Sequence, residues 1–233
     1  MWFDDVGITI SGGKRFLGFV ETDAENEMVL TPFLGSLVER GLDISQGLLV
    51  VLDGGKGLCA AVKKAFRNRV LVQRCQWHKR ENVVGYLPKS EQVAWRQRLQ
   101  RAYNRPTNDK ASGALTRLHS EIEGRNQSAA VSLAAGLAET LTFRRLGMYG
   151  VLGRSLKTTN CVESVNALIE ERYAKLDRWQ NSSQRQRWLA TALLEVEPRL
   201  RKIKGYRHLA KPREALKREL KIGKKNSSVK LAA

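Results

Sequence analysis

Two carboxylates 110 positions apart, Asp53 and Glu163, and the Cys75-Gln76-Trp77-His78 element between them are the residues whose types and spacing invite chemistry. In the stretch Thr158 to Asn166 and beyond, Val162, Val165, Ile169, Tyr173 and Leu176 step by 3, 4, 4 and 3, one face of a helix. Glu163, Asn166 and Glu170 share another face. The apolar stripe fixes such a helix against a core and leaves Glu163 to look into a cleft. A local reading stands beside it. With Asn160 as N-cap, Glu163 is the third helical residue and would bond back to the Asn160 amide in a capping box.

Asp53 ends a short, continuously apolar run, Gly47-Leu48-Leu49-Val50-Val51-Leu52, that suits a strand buried on both faces. An acid at the carboxyl end of a buried strand, before a tight turn, stands where open α/β sheets place their sites. The alternative is that Asp53 makes a turn with Gly54 or caps the helix expected from Lys56 to Phe66. Gly54-Gly55-Lys56-Gly57 is no phosphate loop, because no Gly-Lys-Ser/Thr follows. Cys75 and His78 are zinc-ligand types, but a structural site needs four ligands and no second paired spacing exists.

The elements that must position these residues follow from patterning. Val6 to Ile10 and Arg15 to Thr22 flank a glycine-rich turn and predict a hairpin. Asn26 to Arg40 predicts a helix burying Val29, Phe33, Leu34, Leu37 and Val38, with Pro32 inside it or marking its first turn. Arg69 to Gln73 predicts a further strand. From Glu81 to Gly150 the pattern is helical, with Val93, Trp95, Leu99, Leu115, Leu118, Ile122, Ala130, Leu133, Leu137 and Leu141 buried, and Pro88, Pro106 and Gly124 as breaks.

Strand-Asp53-Gly54, then Arg74-Cys75-Gln76-Trp77-His78-Lys79 with Asn82-Val83, then Thr159 to Asn166 occur in that order. Together they resemble the catalytic half of Mutator-type bacterial insertion-sequence transposases, DDE-class enzymes on a ribonuclease-H-like fold, over about Val6 to Arg207. The resemblance implies an α/β chain with a ribonuclease-H-like mixed sheet and an α-helical insertion. Residues 1–78 would open the core, 79–157 form the insertion, 158–200 carry the catalytic helix, and 201–233 form a basic tail. Asp53 would be the second acid and Glu163 the third, both ligands of Mg²⁺ (or Mn²⁺), with His78 near the scissile phosphate. Arg74, Lys79, Arg80, Arg154, Lys157, Asn166 and Arg172 are assigned to DNA. Two strands rather than three precede the first helix, so the family's first strand and first Asp would fall upstream of Met1. Asp4 and Asp5 precede what matches the second strand, and the chain is expected to be a truncated catalytic portion. Transposon ends and target DNA are the implied partners, and a homo-oligomer follows from joining two ends. The rival reading is a non-catalytic DNA-binding remnant.

Charge agrees with a polyanionic partner. The 41 Lys and Arg against 23 Asp and Glu give +18, yet residues 1–53 hold nine acidic and three basic side chains. Residues 199–225 hold twelve basic against two acidic. That division fits an acidic edge facing nucleic acid held by basic arms. After the helix, Arg172, Lys175, Arg178, Trp179, Arg185, Arg187 and Trp188 interleave cations with indoles suited to base stacking or core packing. Three cysteines without framework spacing fit a reducing cytoplasm, and no apolar run approaches a membrane span.

Overall fold

A computed structural model describes residues 2–22, 26–173 and 181–222. Expectations for Lys175, Leu176, Arg178, Trp179 and the tail from Gly223 fall outside the described residues, as do the side chains of Asp4, Arg154 and Tyr173.

β1 (Trp2–Ile8) and β2 (Lys14–Glu21) form the antiparallel hairpin, Trp2 opposite Glu21 and Ile8 opposite Lys14. β1 starts earlier than the alternation predicted, so Asp4 and Asp5 lie within the strand rather than ahead of it. Asp5 pairs with Gly18 but Val6 with Phe16, which leaves Leu17 as an extra residue. This bulge redirects the side chains. Phe16 and Phe19 both pack with Val165, Ile169 and Leu189, while Leu17 and Val20 pack with Leu30 and Leu34. In a regular strand residues 16 and 19 would face opposite ways.

α1 (Glu27–Glu39) begins at Asn26, whose side chain accepts from the Met28 amide at 2.8 Å. Pro32 lies past its first turn. The buried stripe is Leu30, Leu34 and Leu37, and Val29 is 37% exposed, so the apolar face is turned one residue from that expected. β3 (Leu48–Leu52) and β4 (Val70–Arg74) pair in parallel, Leu48 with Val70 through Leu52 with Arg74, joined over α2 (Lys56–Phe66). Leu48, Val50 and Leu52 join the α1–α2 core, whereas Leu49 and Val51 meet Phe143 and Leu152 on the opposite face. The uninterrupted apolar run is thus covered on both sides.

The continuous mixed sheet is not formed by the described residues. β1 pairs with β2 and β3 with β4, making two separate two-stranded sheets whose nearer edges border one cavity of about 640 Å³. The architecture is mixed α/β and mostly helical. Without a strand bridging β1 and β3, no hydrogen-bond ladder can run between the sheets.

α3 (Gln76–Val84), α4 (Lys89–Tyr103), α5 (Asn108–Glu123) and α6 (Gln127–Ala134) enclose Val83, Trp95, Leu99, Tyr103, Leu115, Ile122 and Leu133. The breaks fall as read, with Pro88 preceding α4 and Gly124 closing α5. Val93, expected inside, is 63% exposed. α7 (Leu137–Thr140), α8 (Thr142–Arg145), α9 (Tyr149–Leu156), α10 (Asn160–Tyr173), α11 (Ser182–Val196) and α12 (Ala210–Glu219) follow among the described residues. Among the described residues no helix is long and apolar enough to cross a membrane.

A buried lysine ties α3 to the end of α6 within the helical cluster. Lys79 is 6% exposed, and its ammonium donates to the carbonyls of Ser132 and Ala135 at the end of α6. A cation there neutralises the negative end of the helix dipole. Burial, and then the Arg74 charge, lower its pKa from 10.5 to about 8. Between those values the unfolded chain holds a proton that the folded chain has released, so stability rises with pH in that window. Urea unfolding should show wild-type protein gaining on the order of 1–2 kcal/mol from pH 8 to pH 9.5, and Lys79→Met losing that dependence.

Candidate active site

Three elements converge at the carboxyl end of β3. The Cys75 amide donates to the Leu52 carbonyl at 2.6 Å, which sets the start of α3 beside the end of β3. The Gln76 amide donates to the Lys157 carbonyl at 3.1 Å and brings the approach to α10 to the same place. Asp53, His78, Thr159, Glu163 and Asn166 therefore line one cavity.

Asp53 makes the local turn as well as facing the cavity. Its Oδ1 accepts from the Gly55 amide at 3.1 Å, across Gly54 at φ +119°. A side chain at Gly54 would be strained there and would also crowd the Arg74 guanidinium at 3.0 Å. The Cys-x-x-His element works through a helix cap. Cys75 is buried, and its sulfur accepts from the His78 amide at 3.5 Å, placing His78 on the first turn of α3.

Glu163 is the fourth residue of α10 rather than the third, since the helix already includes Asn160. Its Oε1 accepts from the Thr159 hydroxyl at 2.7 Å in place of the expected bond to the Asn160 amide. Thr159 Oγ1 is also 3.2 Å from His78 Nδ1, and His78 Nε2 stands 4.0 Å from Glu163 Oε1. The hydroxyl has one proton. If Glu163 takes it, the oxygen lone pair accepts from Nδ1–H. Thr159 had no role in the sequence reading, although its position just ahead of the helix, four residues before Glu163, was a usable signal.

The donor set does not complete a metal centre. Among the described residues no three of His, Cys, Asp and Glu are grouped closely enough to hold an ion. Asp53 and Glu163 supply two carboxylates to one cavity, and a Mg²⁺ or Mn²⁺ site needs further ligands. Asp5 also lines this cavity, from within β1, without making such a group.

The cations assigned to DNA divide. Lys79 is turned inward, and Arg74, with an 11% exposed side chain, donates to the carbonyls of Ala135 and Gly54 and lies 3.7 Å from Glu139. Neither presents its charge to solvent, because each satisfies backbone carbonyls that burial would otherwise leave unpaired. Arg80 is half-buried between Glu81 and Gln100 at 2.9 and 2.8 Å. Arg172 pairs with Glu195 at 3.2 Å, and Lys157 lies 5.6 Å from the Tyr149 ring centre. Exposed cations also stand elsewhere, among them Arg101, Arg105, Lys110 and Arg117 on the helical cluster, and Arg201, Lys202, Lys204, Arg207, Lys211 and Arg213 along the approach to α12 and its start. Arg213 reaches the cavity lining.

Relatives carry the same region. The transposase for insertion sequence element IS256 in transposon Tn4001 from Staphylococcus aureus is 31% identical over 196 residues, covering 82% of this chain and 48% of that protein. The transposase for IST2 from Acidithiobacillus ferrooxidans is 28% identical over 167 residues, 72% of this chain and 55% of the relative. That for IS905 from Lactococcus lactis is 27% identical over 186 residues, 80% and 46%. The chain thus spans about half the length of the curated relatives it matches. Residues 5–200 match the family model described as Transposase, Mutator family, and with a match over most of its length this chain belongs to that family.

Proposed function

We propose that this chain is the catalytic region of a DNA transposase, a ribonuclease-H-like core interrupted by the helical cluster. Asp53 and Glu163 are two of the acids of a divalent-cation site that serves phosphodiester hydrolysis and strand transfer. His78, held by Thr159, faces the same substrate. The observation that carries this reading is the arrival of Asp53, His78 and Glu163 at one cavity from three elements far apart in sequence. Exposed cations along the helical cluster and the approach to α12 bind DNA phosphates, and joining two DNA ends calls for a homo-oligomer.

A second reading, a DNA-binding remnant without chemistry, draws support from the incomplete donor set. Both readings require DNA binding dominated by phosphate contacts. For about four such contacts, affinity should fall roughly 100-fold between 50 and 200 mM salt. Fluorescence anisotropy with a duplex oligonucleotide measures it, and Asp53→Ala and Glu163→Ala should leave binding unweakened. Absence of binding at low salt would defeat both readings.

A further inference from the structure

Two glycines far apart in sequence close on one guanidinium. Gly54 (φ +119°) follows Asp53, and Gly136 (φ +69°) lies between α6 and α7. A Cβ on Gly54 would stand 3.0 Å from Arg74 Nη2, and one on Gly136 would overlap Nη1 and come within 2.6 Å of Cδ. Both φ values also favour glycine. The Arg74 side chain fits between the Asp53 turn and the α6–α7 link because neither flank carries a side chain.

Arg74 reaches this gap because it pairs with Leu52 in the β3–β4 register, one residue before Asp53. Its Nη2 donates to the Gly54 carbonyl and its Nη1 to the Ala135 carbonyl at 2.8 Å. Its Nε lies 3.7 Å from Glu139, which in turn pairs with Lys63 of α2 at 2.6 Å. The Ala135 carbonyl does not depend on Arg74, since the Lys79 ammonium donates to it as well. The Gly54 carbonyl lies ahead of Gly55, the cap of α2, and so outside the ladder of that helix. What the guanidinium adds is a tie between the two. Its planar fork meets the two carbonyls with two different nitrogens, whereas an ammonium puts every donor on one atom and lacks the flat body that fits between two glycines.

We infer that Arg74 is a positioning residue, which clamps the Asp53-Gly54-Gly55 turn to the α6–α7 link and so fixes where the Asp53 carboxylate stands at the cavity. Locally the turn is closed by the bond from the Gly55 amide to Asp53 Oδ1 at 3.1 Å. The clamp anchors that turn to the body of the protein, through the residue that the family resemblance assigned to DNA. That Asp53 serves chemistry rests on the function proposed above, and the clamp does not.

The test is amide hydrogen exchange followed by NMR on the full chain, without DNA or metal, read at Gly55. Arg74→Lys and Arg74→Ala are each expected to speed Gly55 exchange roughly tenfold while the buried Val62 of α2 and Ile122 of α5 keep their rates. Millimolar methylguanidinium should slow Gly55 again in Arg74→Ala but not in Arg74→Lys, because the first variant alone leaves the gap open. Gly136→Ala keeps Arg74 yet displaces it from the far side, and should reproduce the effect; combined with Arg74→Ala it should add nothing at Gly55. Unchanged Gly55 exchange, a lysine variant equal to wild type, or acceleration shared by Val62 and Ile122 without rescue would overturn the inference. Under the proposed function, Arg74→Lys also lowers kcat for nicking and leaves KM for DNA unchanged. A wild-type chain that does not nick would count against that function and leave the clamp standing, and unchanged Gly55 exchange would do the reverse.

Discussion

Replacing Gln73 with leucine is expected to cost about 2–5 kcal/mol of folding stability, with only a small change in side-chain volume. Gln73 is fully buried at the end of β4. Its Nε2 donates to the Arg74 and Thr140 carbonyls, each at 2.8 Å, and its Oε1 accepts from the Phe143 amide at 2.9 Å. Leucine fills the space but leaves the Phe143 amide without its acceptor in a dry interior. Each orphaned group costs about 1–3 kcal/mol. Gln76→Leu should cost less, about 1 kcal/mol, because the Thr140 carbonyl that Gln76 reaches at 2.9 Å retains its bond from Gln73. Urea unfolding of the two variants ranks them, and equal losses would show that the amide network does not act as described.

The second large effect is chemical. Asp53→Asn and Glu163→Gln keep the bonds from Gly55 and Thr159, since an amide oxygen accepts as a carboxylate does, yet each removes a charge from the cavity. Either change is expected to lower Mn²⁺-dependent nicking of supercoiled DNA by roughly 100-fold or more. The double variant should be little worse than either single one, because groups acting as a unit fail together. DNA affinity should stay within about twofold, since these carboxylates are not phosphate-contacting cations. Nicking unchanged by both substitutions would remove them from the chemistry.

Much of this was legible from sequence because it depends on local pattern. The bounds of α2 and the breaks at Pro88 and Gly124 follow from spacing and backbone preference. Val165 and Ile169 are buried as the helical stripe required. The misreadings involve partners distant along the chain. Lys79 beside a motif looks like a phosphate contact until α6 ends 53 to 56 residues later with carbonyls that need a donor. Arg74 is drawn inward for the same reason by Ala135. The bulge at Leu17 hides in an unremarkable alternation, because its consequence appears only where Phe16 and Phe19 meet α10 and α11. The mixed sheet, expected to lack its first strand, is present among the described residues as two pairs, β1 with β2 and β3 with β4.

The central claim is that Asp53 and Glu163 share one cation pocket. Mn²⁺ titration followed by paramagnetic broadening of the Gly55 and Thr159 amide signals tests it most directly. The expected result is that both signals broaden over the same Mn²⁺ concentrations and that either Asp53→Asn or Glu163→Gln abolishes both. Broadening at separate concentrations, or a variant that silences only the signal next to it, would contradict the claim.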